Sequence, residues 1–217
     1  MIDKYHLTKT SHTEDDIFSR RLFNVFVFSL PRCGSSMMTG VVEKLGVHMT
    51  YNSEDDKEQR EKKYAKRLGE YVPNEFFGEI TDNQWLNQLQ ILTTPYAGCK
   101  MIMPVRNFHM DLVTGCPGKV IMMWREPEEI RQSHIAFYNK SPDISYFESV
   151  MTWQEIELTK NNIDYKIVKF QEVIDDPINT IQDIAEFINS PNDIEEAVKF
   201  VKPDAKRFNK QELEIGI

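Results

Sequence analysis

The sequence predicts a three-layer α/β/α domain with a mainly parallel central sheet. Three observations carry that expectation. Strand-like apolar runs alternate with segments of helical periodicity along the chain. The runs at residues 22–30 (LFNVFVFSL) and 119–124 (KVIMMW) are almost continuously apolar, as strands covered on both faces are. The first of them passes through a Pro-Arg-Cys-Gly-Ser-Ser turn directly into a helical segment.

Taken in order, residues 1–20 are polar and read as a loose N-terminal arm of a single domain spanning 1–217. After the first strand, Met37, Met38, Val41, Val42 and Leu45 recur at helical spacing over 35–45. Residues 53–69 are dense in charge. The i,i+4 pairs Asp56/Arg60, Lys57/Glu61 and Glu58/Lys62 fit a solvated helix there. Cys99 to Met103 reads as a short strand stopped by Pro104, and KVIMMW as a buried one. Pro127 suits the first turn of a helix running to Tyr138, with Ile130, His134 and Phe137 on one side.

A further amphipathic helix is marked by Ile144, Phe147, Val150, Met151 and Ile156. Residues 165–170 (YKIVKF) are a third strand candidate. Asp176-Pro177 opens a helix whose Ile178, Ile181, Ile184, Ala185 and Ile188 share a face, and a last helix starts near Pro191. In folds of this class ligands bind beyond the carboxyl ends of the strands, which directs attention to those ends.

A net charge of −8, from 34 acidic and 26 basic side chains, argues against a nucleic-acid binder or an anionic-membrane binder. It leaves room for a small anionic ligand held by backbone amides and a few cations. The opening residues lack the apolar core of a secretory signal. No apolar run reaches the ~18 residues that a membrane span needs. The three cysteines, Cys33, Cys99 and Cys116, have no CxxC spacing. Reduced thiols in a cytoplasmic protein without a metal site are the expectation.

Ser29-Leu30-Pro31-Arg32-Cys33-Gly34-Ser35-Ser36 reads as a P-loop-like phosphate-binding turn. Gly34 permits a tight turn and a close approach to an anion. The amides of Cys33, Gly34, Ser35, Ser36 and Met37 lie where a helix opens, with the positive end of its dipole behind them. Hydroxyls from Ser35 and Ser36 and the charge of Arg32 add to the set. The competing reading is a plain strand-to-helix turn with Ser as N-cap. A nucleoside-triphosphatase loop is disfavoured because no Lys precedes the hydroxyl residues, and no acidic residue ends KVIMMW to hold magnesium. Cys33, beside a helix start and Arg32, is expected to have a lowered pKa.

Arg125 ends the KVIMMW strand, and Ser133 follows eight residues later, about two helical turns on. A guanidinium and a hydroxyl so placed form a second anion site. The alternatives are an Arg capping the sheet and a Ser facing water.

With both elements in view, the chain resembles the sulfotransferases that use 3′-phosphoadenosine 5′-phosphosulfate. Their 5′-phosphosulfate loop reads P-[RK]-x-G-[ST]-[ST], as does Pro31 to Ser36, and their 3′-phosphate element is Arg with Ser eight residues on, as are Arg125 and Ser133. The stretches 44–49 and 74–79 are similar to those that follow the loop in short bacterial-type members. The stretch 170–177 is similar to their Y-E-D-L-x-x-D-P segment, with Phe170 at the Tyr.

The resemblance, covering about residues 22–210, implies in-line transfer of a sulfuryl group to a hydroxyl or amine of a small-molecule or carbohydrate acceptor. Adenosine 3′,5′-bisphosphate is left, and no metal is needed. Arg32 and the loop amides are the first candidates to offset the charge that develops in such a transfer, and Lys100 is a candidate second cation, with a surface lysine flanking a core strand as the alternative. In many members a His supplies the base, but here Ile102 stands at that place. Other members carry a Glu after the first helix, which makes Glu54 the candidate, with Asp55, Glu79 and His109 as rivals. Phe170 and Trp124 are candidates to face adenine, with a core role as the alternative, and Arg207 is a candidate to reach the 3′-phosphate. Two other functions compete: a catalytically silent nucleotide-binding protein of this family, and a P-loop kinase.

Overall fold

The computed structural model describes residues 24–49, 75–76, 96–102, 113–115 and 118–201, with backbone alone for 75, 76, 102, 137 and 138. The arm at 1–20, the charged segment at 53–69, Glu54, Asp55, Glu79, His109 and Arg207 lie outside the described residues.

Strand β1 (Asn24–Ser29) is buried at every position. Successive side chains in a strand point to opposite faces. Accordingly Val25 and Val27 enter one apolar cluster, and Phe26 and Phe28 enter another on the far side. This is why the sequence shows an unbroken apolar run with no alternation. Helix α1 (Ser35–Lys44) follows, then the short strands β2 (His48–Met49) and β3 (Glu75–Phe76). Strands β4 (Ala97–Ile102) and β5 (Gly118–Trp124) come next. Helices α2 (Pro127–Tyr138) and α3 (Ile144–Lys160) lead to β6 (Asp164–Lys169). The described chain closes with α4 (Phe170–Asp175), α5 (Pro177–Ile188) and α6 (Glu195–Phe200).

The strands form one sheet in the order β2-β4-β1-β5-β6, with β3 also on β4, and each of these pairings is parallel. The chain leaves β1 toward β2 and β4 on one side and returns with β5 on the other. The carboxyl end of β1 is therefore a topological switch point, where open α/β sheets leave a crevice.

Met38, Val41, Val42 and Leu45 at the α1 end join Ile181, Ile184 and Ile188 of α5 over one face of the sheet. A Cβ on Gly40 would fall 2.2 Å from the Phe200 ring, so glycine lets α6 seat on α1. Leu158 of α3 packs on the other face with Cys99, Met101 and Met122, and Trp153 lies against them. Pro127 is in the first turn of α2, and the Asp176 carboxylate caps α5 by accepting the Asn179 amide at 3.4 Å.

Several expectations change. Ile156 and Ile178 are exposed, at 56% and 60%. Gln154 and Leu158 take the buried positions on α3 that the apolar pattern gave to Ile156. The face of α5 begins at Ile181 because residue 178 sits in the first turn, beyond the edge of the core. Residue 170 opens a helix, so the third strand stops at Lys169. The last helix begins at Glu195, after a bend that contains Pro191.

Candidate functional site

The turn between β1 and α1 is built around two left-handed residues, Arg32 at φ 71° and Gly34 at φ 89°. Only glycine adopts that conformation freely. Space makes the same demand at Gly34, since a Cβ would lie 2.4 Å from a ring carbon of Phe170. The Cys33 amide donates to the Leu30 carbonyl at 3.3 Å and closes the turn. Gly34 is the N-cap of α1, with no side-chain cap, and the first turn carries no acidic residue. The amides that open a helix have no partners within it. Those of Ser35, Ser36 and Met37 therefore face the mouth of the turn with the helix dipole behind them.

Arg32, Gly34, Ser36 and Met37 are half-buried, whereas Cys33 is fully buried. Burial pushes the Cys33 thiol up to about 12, more than the Leu30 hydrogen bond and the Arg125 charge pull it down. The expectation of a reactive, acidic Cys33 is thus corrected. Proximity to a helix start lowers a thiol pKa only where the thiolate is solvated, and here the sulfur lies among Leu30, Met38 and their neighbours.

Lys100 is on β4, beside Val27 of β1. Cys99 and Met101 belong to the far cluster. Alternation therefore turns Lys100 to the α1 face, where its Nζ donates to Ser36 Oγ at 3.4 Å. Lys100 is 0% exposed. A surface lysine flanking a strand was the competing reading, and the structure removes it. Buried ammonium groups are rare unless they meet partners.

Arg125 leaves the end of β5 toward the same turn. Its Nη1 donates to the Arg32 carbonyl at 3.1 Å, and its Nε donates to Glu129 Oε2 at 2.8 Å. Its guanidinium carbon stands 4.5 Å from the centre of the Phe170 ring. Ser133 is buried and accepts from Arg32 Nε at 3.1 Å. The two anion elements, separate in the sequence, thus touch in the fold. Ser133 faces the loop and not water.

Phe170 is 6% exposed, with Arg125 and Gly34 against its ring. It is the floor of the turn, packed under Gly34 and Arg125. Trp124 is partly buried against the core. His134, next to Ser133, has its pKa lowered by burial, against a raising contact with the Lys140 backbone and with a smaller push from Arg32. Its ring packs 6.0 Å from Phe147.

Glu129 was not a candidate from sequence. Its only signal was the i,i+4 spacing from Arg125, which on a solvated helix is commonplace. The turn therefore gathers Arg32, Lys100, Arg125, Ser36 and Ser133 at an uncapped helix N-terminus, an arrangement suited to an anion with more than one charged group.

A model of the sulfotransferase domain matches residues 23–214. Among solved structures the chain is similar to mouse sulfotransferase SULT7A1 complexed with PAP, at 14% identity and a TM-score of 0.49, over 83% of this chain and 63% of that one. It is similar to the sulfotransferase domain of the Synechococcus PCC 7002 olefin synthase at 13% identity and a TM-score of 0.46, over 97% and 86%. It is also similar to shikimate kinase from Bacteroides thetaiotaomicron at 13% identity and a TM-score of 0.42, over 77% and 98%. Among curated proteins none matches this chain.

Proposed function

The chain belongs to the sulfotransferase domain family, and on that premise we propose that it is a sulfotransferase using 3′-phosphoadenosine 5′-phosphosulfate. The acceptor is a hydroxyl or amine of a small molecule or carbohydrate. The observation that carries the reading is the contact between Arg32 on the loop and Ser133 of the second element, with Arg125 bound to the same loop residue. A ligand with two phosphates on one nucleoside needs two cationic sites side by side, and this contact brings them together.

The residues present fit such a nucleotide. The turn has no side-chain cap to compete with a ligand for the amides that open α1, and the side chains of Arg32, Lys100 and Arg125 converge on it. In this reading the amides of Gly34 to Met37, the Ser35 and Ser36 hydroxyls and Arg32 hold the 5′ group, and Arg125 with Ser133 holds the 3′-phosphate. When bound, the nucleotide supplies an activated sulfuryl group. Arg32 and Lys100 offset negative charge at the bridging oxygen, and fixed cations in a partly dry site are the largest contribution that a protein makes there. Lys100 is turned toward the loop, where its Nζ donates to Ser36 Oγ. Arg207 remains a proposed contact to the 3′-phosphate, and Glu54 remains the proposed base, because Ile102 has no proton to exchange.

Thermal shift tests the reading. A ligand present at ~100 times its dissociation constant stabilises by about 2.7 kcal/mol. Adenosine 3′,5′-bisphosphate is expected to stabilise the protein selectively over ADP and ATP with magnesium. Stabilisation by ATP with magnesium alone would overturn the proposal in favour of a kinase. Binding of the bisphosphate with no sulfuryl transfer to any acceptor in a broad panel would identify a silent nucleotide-binding member.

A further inference from the structure

Arg125 is held on three sides. Glu129 takes its Nε, the Arg32 carbonyl takes one Nη1 hydrogen, and the Phe170 ring lies under its face. Its side chain is 17% exposed, against 41% for Glu129. Arg32, whose carbonyl is the acceptor, is in the left-handed conformation that L side chains disfavour. The Arg125 bond to its carbonyl is one of the contacts that fix it there, beside the bond from its own Nε to Ser133.

We propose that Glu129 and Arg125 are a positioning pair for the phosphate loop: Glu129 aims Arg125, and Arg125 fixes the Arg32 backbone. Arg125 then serves the 5′ group through the loop as well as the 3′-phosphate directly. The proposal takes its ligands from the function proposed above. A lysine in its place cannot do the same work, since one ammonium lacks the fork that reaches a carbonyl and a carboxylate together. Glu129 also carries a negative charge close to an anion site. A bystander carboxylate would only repel the ligand, so its removal by any route would tighten binding. A positioning carboxylate behaves oppositely when the acceptor is lost and nearly normally when only the charge is lost.

The test is calorimetric titration of AMP, which has only the 5′-phosphate, and of adenosine 3′-monophosphate. The proteins are wild type, Arg125→Lys, Glu129→Ala and Glu129→Gln, each checked for folding by circular dichroism. Arg125→Lys and Glu129→Ala are expected to weaken AMP about tenfold, the scale of one hydrogen bond to a charged group. Glu129→Gln, whose amide oxygen still accepts from Nε, is expected to recover most of that loss. AMP affinity untouched in Arg125→Lys, or equal effects of Glu129→Ala and Glu129→Gln, would overturn the proposal.

An independent arm reads the Arg125 Nε–H signal by nitrogen-15 NMR in the ligand-free protein. Slow exchange with solvent is expected in wild type and Glu129→Gln, and fast exchange in Glu129→Ala. Fast exchange in wild type would overturn the pairing. Failure of wild type to bind either nucleotide would instead strike the sulfotransferase reading, and the NMR result would still decide the positioning role.

Discussion

Nε of Arg32 donates to Oγ of Ser133 across 3.1 Å, joining two positions 101 residues apart in the chain. One residue stands at the exit of β1 and the other on α2. The parallel pairing of β1 with β5 brings them together, because it sets both strand ends at the same edge of the sheet. Ser133→Ala removes the acceptor and leaves the guanidinium one partner short. A hydrogen bond to a charged group contributes roughly 1.5–3 kcal/mol, so affinity for adenosine 3′,5′-bisphosphate is expected to fall about tenfold or more by calorimetry. Affinity within twofold of wild type would mean that the contact is incidental.

Gly34→Ala should be severe. The left-handed backbone costs an alanine roughly 1–2 kcal/mol, and overpacking against Phe170 adds roughly 1–3 kcal/mol. A fall in melting temperature together with loss of nucleotide-induced stabilisation is the expected result. A variant as stable as wild type would show that the Phe170 ring yields freely, contrary to its burial at 6% exposure.

Lys100→Met keeps length and apolar bulk but removes the buried charge. Sulfuryl transfer is expected to drop by about 10² to 10³, the usual effect of deleting one oriented group at a developing charge. Folding stability should hold or rise, because a buried ammonium is costly to desolvate. Product formation in a coupled assay and urea denaturation separate the two effects. Unchanged transfer would reduce Lys100 to a structural partner of Ser36.

Cys33 makes a chemical and a pH prediction. Its buried thiol should resist iodoacetamide in the native protein at pH 8 and react once denatured, as read by peptide mass spectrometry. Its pKa rises on folding, from an unfolded value of 9.0 to about 12. Below pH 9 both states hold the proton and stability is intact. Between about pH 9 and about 12 only the unfolded state releases it, so stability falls as pH rises. Tyr96, pushed up to about 12 by burial, acts in the same direction above pH 10. Alkaline melting curves of Cys33→Ala should lose part of this slope; an identical slope would exclude Cys33 as a contributor.

The turn at Pro31 to Ser36 was legible because its signals are local. A buried strand, a glycine and two hydroxyl residues at a helix start follow from backbone geometry that neighbouring residues set among themselves. The spacing of Arg125 and Ser133 was legible for the same reason, since Arg125 directly follows β5 and Ser133 lies in the second turn of the helix that comes next. Ile156 and Ile178 misled because periodicity says which residues share a face and is silent on how far the core extends beneath it. Cys33 misled because a local motif carries the helix dipole but not the density of atoms packed around the sulfur.

By itself, the sequence determined the strand and helix segments whose alternation implies an α/β fold, and the Pro31 to Ser36 turn, since each rests on local patterns along the chain. Tertiary structure alone decided that Lys100 is buried and turned to Ser36, that Arg32 meets Ser133, and that Phe170 lies under Gly34 and Arg125. Those relationships arise from strand order and register, and register is settled by how the two faces of the whole sheet are buried at once.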